Sequence, residues 1–194
     1  MHTHYTARIR VYTVVATAIL SCLTMPEASS QRTMRYQNLL TLYIQLPVSV
    51  LPGYGIHACY GRYTIEGYWK AGGGAMTQGV PLSAGRSLQL LTVKAQGDYM
   101  HRLAASRSRS VSVYAGCGAF IGYETYDPAG RLPSSIETGL GEGAFIYGLV
   151  PQVELELFFT RSIALVAAIE APLTFSSAVH WLRAQVRGGL RINI

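Results

Sequence analysis

The chain has 194 residues, with 16 Lys and Arg against 10 Asp and Glu for a net charge of +6. Only 13% of residues are charged, beside 20 Gly and 13 Tyr, a balance that argues against a helical bundle and for β structure edged with aromatic residues. The basic excess lies on no basic helix, and much of it falls on one strand face or in a short turn, so no direct nucleic-acid partner is expected.

Met1 to Arg10 is polar and basic, Val11 to Met25 is an apolar run, and Ala28 and Ser30 supply the small residues of a cleavage site. Residues 1 to 30 therefore read as a signal peptide, and the run is too short and polar for a comfortable transmembrane helix. A lipidated Cys22 is the second reading of Ile19-Leu20-Ser21-Cys22, because Leu20 sits where a small residue is usual. Residues 31 to 194 are one domain's worth of chain. Cleavage would leave two cysteines, Cys59 and Cys117, which read as small apolar fillers rather than a disulfide framework or a metal site.

The rest of the chain alternates. Residues 38 to 50 put Leu40, Leu42, Ile44, Leu46, Val48 and Val50 on one face and end at Pro52-Gly53. Residues 54 to 64 and 66 to 77 form two Gly-rich strands, the second blurred by Gly72-Gly73-Gly74. Residues 87 to 102 set Leu91, Val93, Ala95, Gly97 and Tyr99 against Thr92, Lys94, Gln96 and Asp98. After a basic turn at 103 to 109, Val111, Val113, Ala115, Cys117, Ala119, Ile121 and Tyr123 alternate with small, polar and aromatic residues up to Glu124. The longest loop, 127 to 143, precedes a strand from Phe145 in which Val153, Leu155 and Leu157 oppose Gln152, Glu154 and Glu156. A turn at Thr160-Arg161 leads into residues 162 to 175, where Ile163, Leu165, Ala167, Ile169 and Leu173 oppose Glu170 and Thr174. Residues 180 to 194 close the count at eight, with Leu182, Ala184, Val186, Gly188, Leu190, Ile192 and Ile194 opposite Arg183, Gln185, Arg187, Gly189, Arg191 and Asn193.

One apolar and one charged face over so long a strand suits a tilted crossing of a hydrocarbon layer. The prediction is an all-β, eight-stranded antiparallel up-and-down barrel of outer-membrane type. With both ends in the periplasm, 51 to 53, 78 to 86, 127 to 143 and 176 to 179 would be external loops, and 65, 103 to 109 and 160 to 161 inner turns. Lys94, Asp98, Glu124, Glu154, Glu156, Glu170, Arg183, Arg187 and Arg191 would then point into the lumen as a packed ionic network rather than a conducting pore. A catalytic carboxylate pair, Glu154 with Glu156, is the sharper alternative, but the flanking arginines favour structural pairing. Tyr54, Tyr60, Tyr63, Tyr68, Trp69, Tyr99, Tyr123, Tyr126, Tyr147 and Trp181 are read as girdle residues. No histidine has metal-ligand spacing, Gly72-Gly73-Gly74 lacks the Lys of a phosphate loop, and no nucleophile elbow is present, so no cofactor and no enzyme activity are expected.

The last residues resemble the C-terminal assembly signal of outer-membrane barrels, carried here by Arg187, Gly189, Ile192 and Ile194, with Ile194 where many such chains end in an aromatic residue. Gly122-Tyr123-Glu124-Thr125, Phe145-Ile146-Tyr147-Gly148, Leu155-Glu156-Leu157 and Gly188-Gly189-Leu190-Arg191-Ile192-Asn193-Ile194 together resemble the TraO family, conjugal transfer proteins of Bacteroides-type conjugative transposons. The likeness is best from about Ser110 onward. It implies an exported, non-enzymatic outer-membrane component of a mating apparatus, in contact with outer-membrane lipid, other apparatus proteins and, through its last strand, the barrel-assembly machinery. The alternative is a soluble periplasmic lipocalin-like barrel holding a small ligand, which would need an apolar lumen and a polar exterior.

Overall fold

The computed structural model describes residues 36–48, 53–81, 87–106, 110–126, 143–175 and 183–194. The expected signal segment, the interior of the 127 to 143 loop, and Trp181 lie outside them. Among the described residues nine strands are formed: β1 (Asn38–Pro47), β2 (Gly53–Tyr63), β3 (Gly67–Pro81), β4 (Ser87–Ala105), β5 (Val111–Tyr126), β6 (Ala144–Phe158), β7 (Ile163–Glu170), β8 (Leu173–Phe175) and β9 (Gln185–Asn193). All pair antiparallel in one sheet, which closes because β1 pairs with β9, β9 with β7 and β5 with β6. β7 and β8 both pair with β6, at Gln152 opposite Glu170 and at Leu149 opposite Leu173. They are two pieces of one stave, so the barrel has eight staves.

That broken stave differs from the continuous strand expected over 162 to 175, and proline chemistry explains it. Pro172 lies in the break and Pro151 lies across from it on β6, and neither has an amide proton to give to a ladder. The chain recovers two bonds there, Ala171 N–H to Pro151 O at 3.0 Å and Arg183 N–H to Pro172 O at 3.3 Å. Two expected loops are also shorter than the sequence implied. Residues 78–81 continue β3, paired down to Pro81 opposite Ser87, and residues 103–105 continue β4 past an irregularity between Arg102 and Ala104. Main-chain pairing persists there although alternation has lapsed.

Asn38 and Ile194 exchange backbone hydrogen bonds of 3.1 and 2.9 Å, so both lie at one end of the barrel, with the connections 64–66, 106–110 and 159–162. We refer to it as the terminus end. Along each stave exposure alternates with the pleat: Ile169 is 62% exposed and its neighbour Glu170 is fully buried. Leu42, Ile44, Leu46, Ile56, Val93, Ile121, Val153 and Leu190 all face outward, whereas Gln45, Lys70, Lys94, Gln152, Glu154 and Arg187 are buried inside. In water each outward aliphatic side chain would forgo roughly 1.5–3 kcal/mol of burial, a cost that hydrocarbon removes. This is the reverse of the ligand-binding soluble barrel. Inward glycines make room for long polar side chains: a Cβ at Gly74 would stand 2.8 Å from the His57 ring, and one at Gly118 would collide with the Asp98 carboxylate.

Candidate functional site: the polar lumen

Strand period delivers the lumenal charges. Glu154 and Glu156 are two apart on β6, and Arg187 and Arg191 four apart on β9, so each pair shares the inner face. Because β9 lies next to β7, and β7 next to β6, closure brings the basic stave against the acidic ones.

Three groups are stacked along the lumen. Nearest the terminus end, the Arg191 guanidinium joins both β6 carboxylates, at 2.6 Å to Glu154 Oε1 and 2.9 Å to Glu156 Oε1. Lys70 Nζ and the Tyr43 hydroxyl each donate to Glu154 Oε2 at 2.8 Å, Tyr68 donates to Glu154 Oε1, and Tyr63 donates to Glu156 Oε1 at 2.5 Å. Arg191 Nε is fixed by Thr41 Oγ1 at 3.0 Å, and its plane lies 4.6 Å from the Tyr68 ring centroid. Side chains from β1, β2, β3, β6 and β9 thus meet across the lumen.

At mid-height, Glu170 Oε1 is 2.5 Å from Arg187 NH2 and 3.2 Å from Lys94 Nζ, and accepts from Gln185 as well. Arg187 NH2 also donates to Gln96 Oε1 at 3.1 Å, while Gln96 Nε2 donates to both Asp98 oxygens at 2.9 and 3.1 Å. Toward the other end, Arg183 grips Glu124 with both terminal nitrogens. There a small cavity opens, lined by Met76, Phe120 and Ile146 together with Lys94, Glu124 and Arg183.

All nine charged residues singled out in the sequence thus point inward. Glu154 and Glu156 share Arg191, Glu170 takes Arg187 and Lys94, and Glu124 takes Arg183, while Asp98 is held by Gln96. With both carboxylates of the β6 pair bound by one guanidinium, the geometry favours an ionic bridge over a reacting pair. Of the assembly-signal residues, Arg187 is inside, Gly189 is half-buried opposite Tyr43, and Ile192 and Ile194 face outward.

Sequence reading missed Lys70 and misplaced two tyrosines. Tyr63 and Tyr68, expected in the outer girdle, are 2% and 0% exposed and serve as lumenal donors. A tyrosine has an apolar body and a polar tip, so composition alone suits it to either place. The usable signal was phase: Tyr68, Lys70, Gly72, Gly74 and Met76 share one parity, and Trp69, Ala71, Gly73 and Ala75 the other. Tyr54, Tyr60, Trp69, Tyr99, Tyr123 and Tyr147 do face outward. Cys59 is buried and Cys117 exposed, both as free thiols.

Residues 30–194 match the family model described as conjugative transposon protein TraO. In fold, the chain is similar to Neisserial surface protein A, with a TM-score of 0.53 and 12% identity over 82% of this chain and 97% of that one. It is also similar to Ail, the attachment invasion locus protein of Yersinia pestis, solved in complex with the heparin analogue sucrose octasulfate, with a TM-score of 0.51 and 15% identity over 83% of this chain and 100% of that one. No curated protein matches the chain in sequence.

Proposed function

The chain belongs to the TraO family of conjugative transposon proteins, and from that premise we propose that it is a non-enzymatic outer-membrane component of a conjugative DNA-transfer apparatus. The observation that carries this reading is an apolar exterior around a charge-balanced interior. Among the described residues the lumen holds five cations, Lys70, Lys94, Arg183, Arg187 and Arg191, and five anions, Asp98, Glu124, Glu154, Glu156 and Glu170. Buried ions that are paired and hydrogen-bonded lock the staves together, and they occupy the space that a conduit would need. The barrel is then an anchor in lipid, and DNA travels elsewhere.

Export by residues 1 to 30 supplies the barrel domain, 31 to 194, to the periplasm, and the strand ending in Ile192 and Ile194 is the segment offered to the barrel-assembly machinery. Partner proteins of the apparatus meet the loops, of which 127 to 143 is the longest. Cell fractionation with a gel comparison of heated and unheated samples, alongside mating frequency in a deletion strain, tests this. Recovery in the outer membrane with heat-modifiable migration, and transfer restored only by the intact gene, is the expected result. A soluble periplasmic protein, or transfer unaffected by deletion, would overturn it.

A further inference from the structure

The lumen's balance locates the protein's excess charge. Residues 31 to 194 hold 14 Lys and Arg and 9 Asp and Glu, and setting aside the lumen's five cations and five anions leaves nine against four, an excess of +5 outside the lumen. Much of that excess is at the terminus end. Arg62 near the end of β2 and Arg161 in the β6–β7 turn are exposed, Arg102 of β4 is half-buried at the mouth in phase with the inward Asp98 and Met100, and Glu66 in the β2–β3 turn, whose carbonyl accepts from Arg102 N–H at 2.8 Å, is the acidic residue at that end among those described. In sequence the β4–β5 connection adds Arg107 and Arg109, while the connections at the opposite end carry Arg86 and Arg131 against Asp127, Glu137 and Glu142.

We propose that Arg62, Arg102 and Arg161 form a ring that binds the phosphates of anionic phospholipid headgroups in the leaflet at the terminus end. The inference rests on the membrane-barrel reading and deepens it. Placement argues for lipid over a soluble polyanion. Arg62 lies opposite Trp69, which lies opposite Tyr99, and all three are on the outer face. Tyr60, one step toward mid-membrane on the same face, packs edge-on against Trp69 with ring centroids 6.3 Å apart. Aromatic residues of this kind sit at headgroup depth, and a guanidinium just beyond them meets the phosphate layer. Two of the three are also fixed in place: Arg62 Nε donates to Tyr36 O at 3.0 Å with its guanidinium 5.5 Å from the Tyr36 ring centroid, and Arg102 NH2 donates to Ile65 O at 3.3 Å. Guanidinium forks match phosphate oxygens in pairs.

The test uses the protein purified from membranes and placed in nanodiscs of equal phosphatidylcholine and phosphatidylglycerol, reading the ratio of the two lipids retained after partial stripping with detergent. The wild type is expected to enrich phosphatidylglycerol, by about five-fold for each arginine that holds a headgroup, with the enrichment falling as salt rises. R62Q/R102Q/R161Q should lose most of it and R62K/R102K/R161K should keep part. Heat-modifiable migration of the same samples reports the barrel independently, so a failed ring is distinguishable from a failed membrane reading. If the triple Gln variant does not fold, R161Q alone, at an exposed turn position, together with the wild-type salt series decides. Equal enrichment in wild type and folded Gln variants, or enrichment insensitive to salt, would overturn the proposal. So would unchanged lipid enrichment with duplex-DNA binding lost in the Gln variant, which would assign the ring to nucleic acid.

Discussion

Arg191 on β9 and Glu154 on β6 meet at 2.6 Å inside the lumen, both with fully buried side chains, although neither stave is the other's neighbour. The contact crosses β7, whose Val166 and Ala168 are small enough at that level to let it pass. Removing the cation alone would leave two carboxylates, Glu154 and Glu156, buried without their common partner. R191M is therefore expected to destabilise the barrel by about 3–5 kcal/mol. E154Q/R191M should cost less than the sum of its two single changes, a coupling that urea unfolding of the four proteins in a double-mutant cycle measures.

The tyrosines supply a sharper contrast because two of them differ in side and not in chemistry. Tyr68 is buried and donates to Glu154, whereas Tyr60 faces outward. Y68F should cost about 1.5–3 kcal/mol, the range for hydrogen bonds to a charged group, while Y60F should change unfolding midpoints little. Equal effects would put Tyr68 in the girdle after all.

Which face each stave turns inward was legible in the sequence wherever charge alternates with aliphatic residues, as in Gln152 to Leu157 or Gln185 to Ile194. It was obscured where neighbouring residues lack contrast. Gly72-Gly73-Gly74 has no side chains to show parity, so Lys70 stood alone and its inward direction was missed. Strand ends were read from alternation, but alternation is imposed by having lipid on one side and a packed lumen on the other. Beyond the apolar belt only backbone pairing continues, and it carries β3 to Pro81 and β4 to Ala105 without any sequence period. The atom-level partners within the lumen follow from closure and the register between staves far apart in sequence, and no local pattern encodes either.

The outer face yields a depth-dependent prediction. Leu190 faces lipid near mid-height, opposite Leu42, and Ile194 faces outward at the terminus end. An arginine at the first site must sit in hydrocarbon, whereas at the second it reaches the headgroups. L190R is expected to cost about 2–4 kcal/mol and I194R about 0–1 kcal/mol, measured by unfolding from lipid vesicles. Similar costs at both sites would mean that the apolar face does not span a bilayer in this orientation.

Conductance examines the plug directly. An ion crossing the terminus half would have to displace side chains from five staves, or enter a region where Glu154 already holds Arg191, Lys70, Tyr43 and Tyr68. Stripping its own hydration there carries an effective penalty of several kcal/mol, and the carboxylates of Glu154 and Glu156 are already bound by Arg191. The wild-type protein should therefore give no current steps in planar bilayers at modest voltage. K70A/E154A/E156A/R191A removes two cations and two anions, keeps the lumen neutral and deletes the bulk of the cluster. Steps should appear in that variant, provided that its heat-modifiable migration shows a folded barrel. Steps of similar size in the wild type would show that the lumen is already an open path, and the anchor reading would give way to that of a channel.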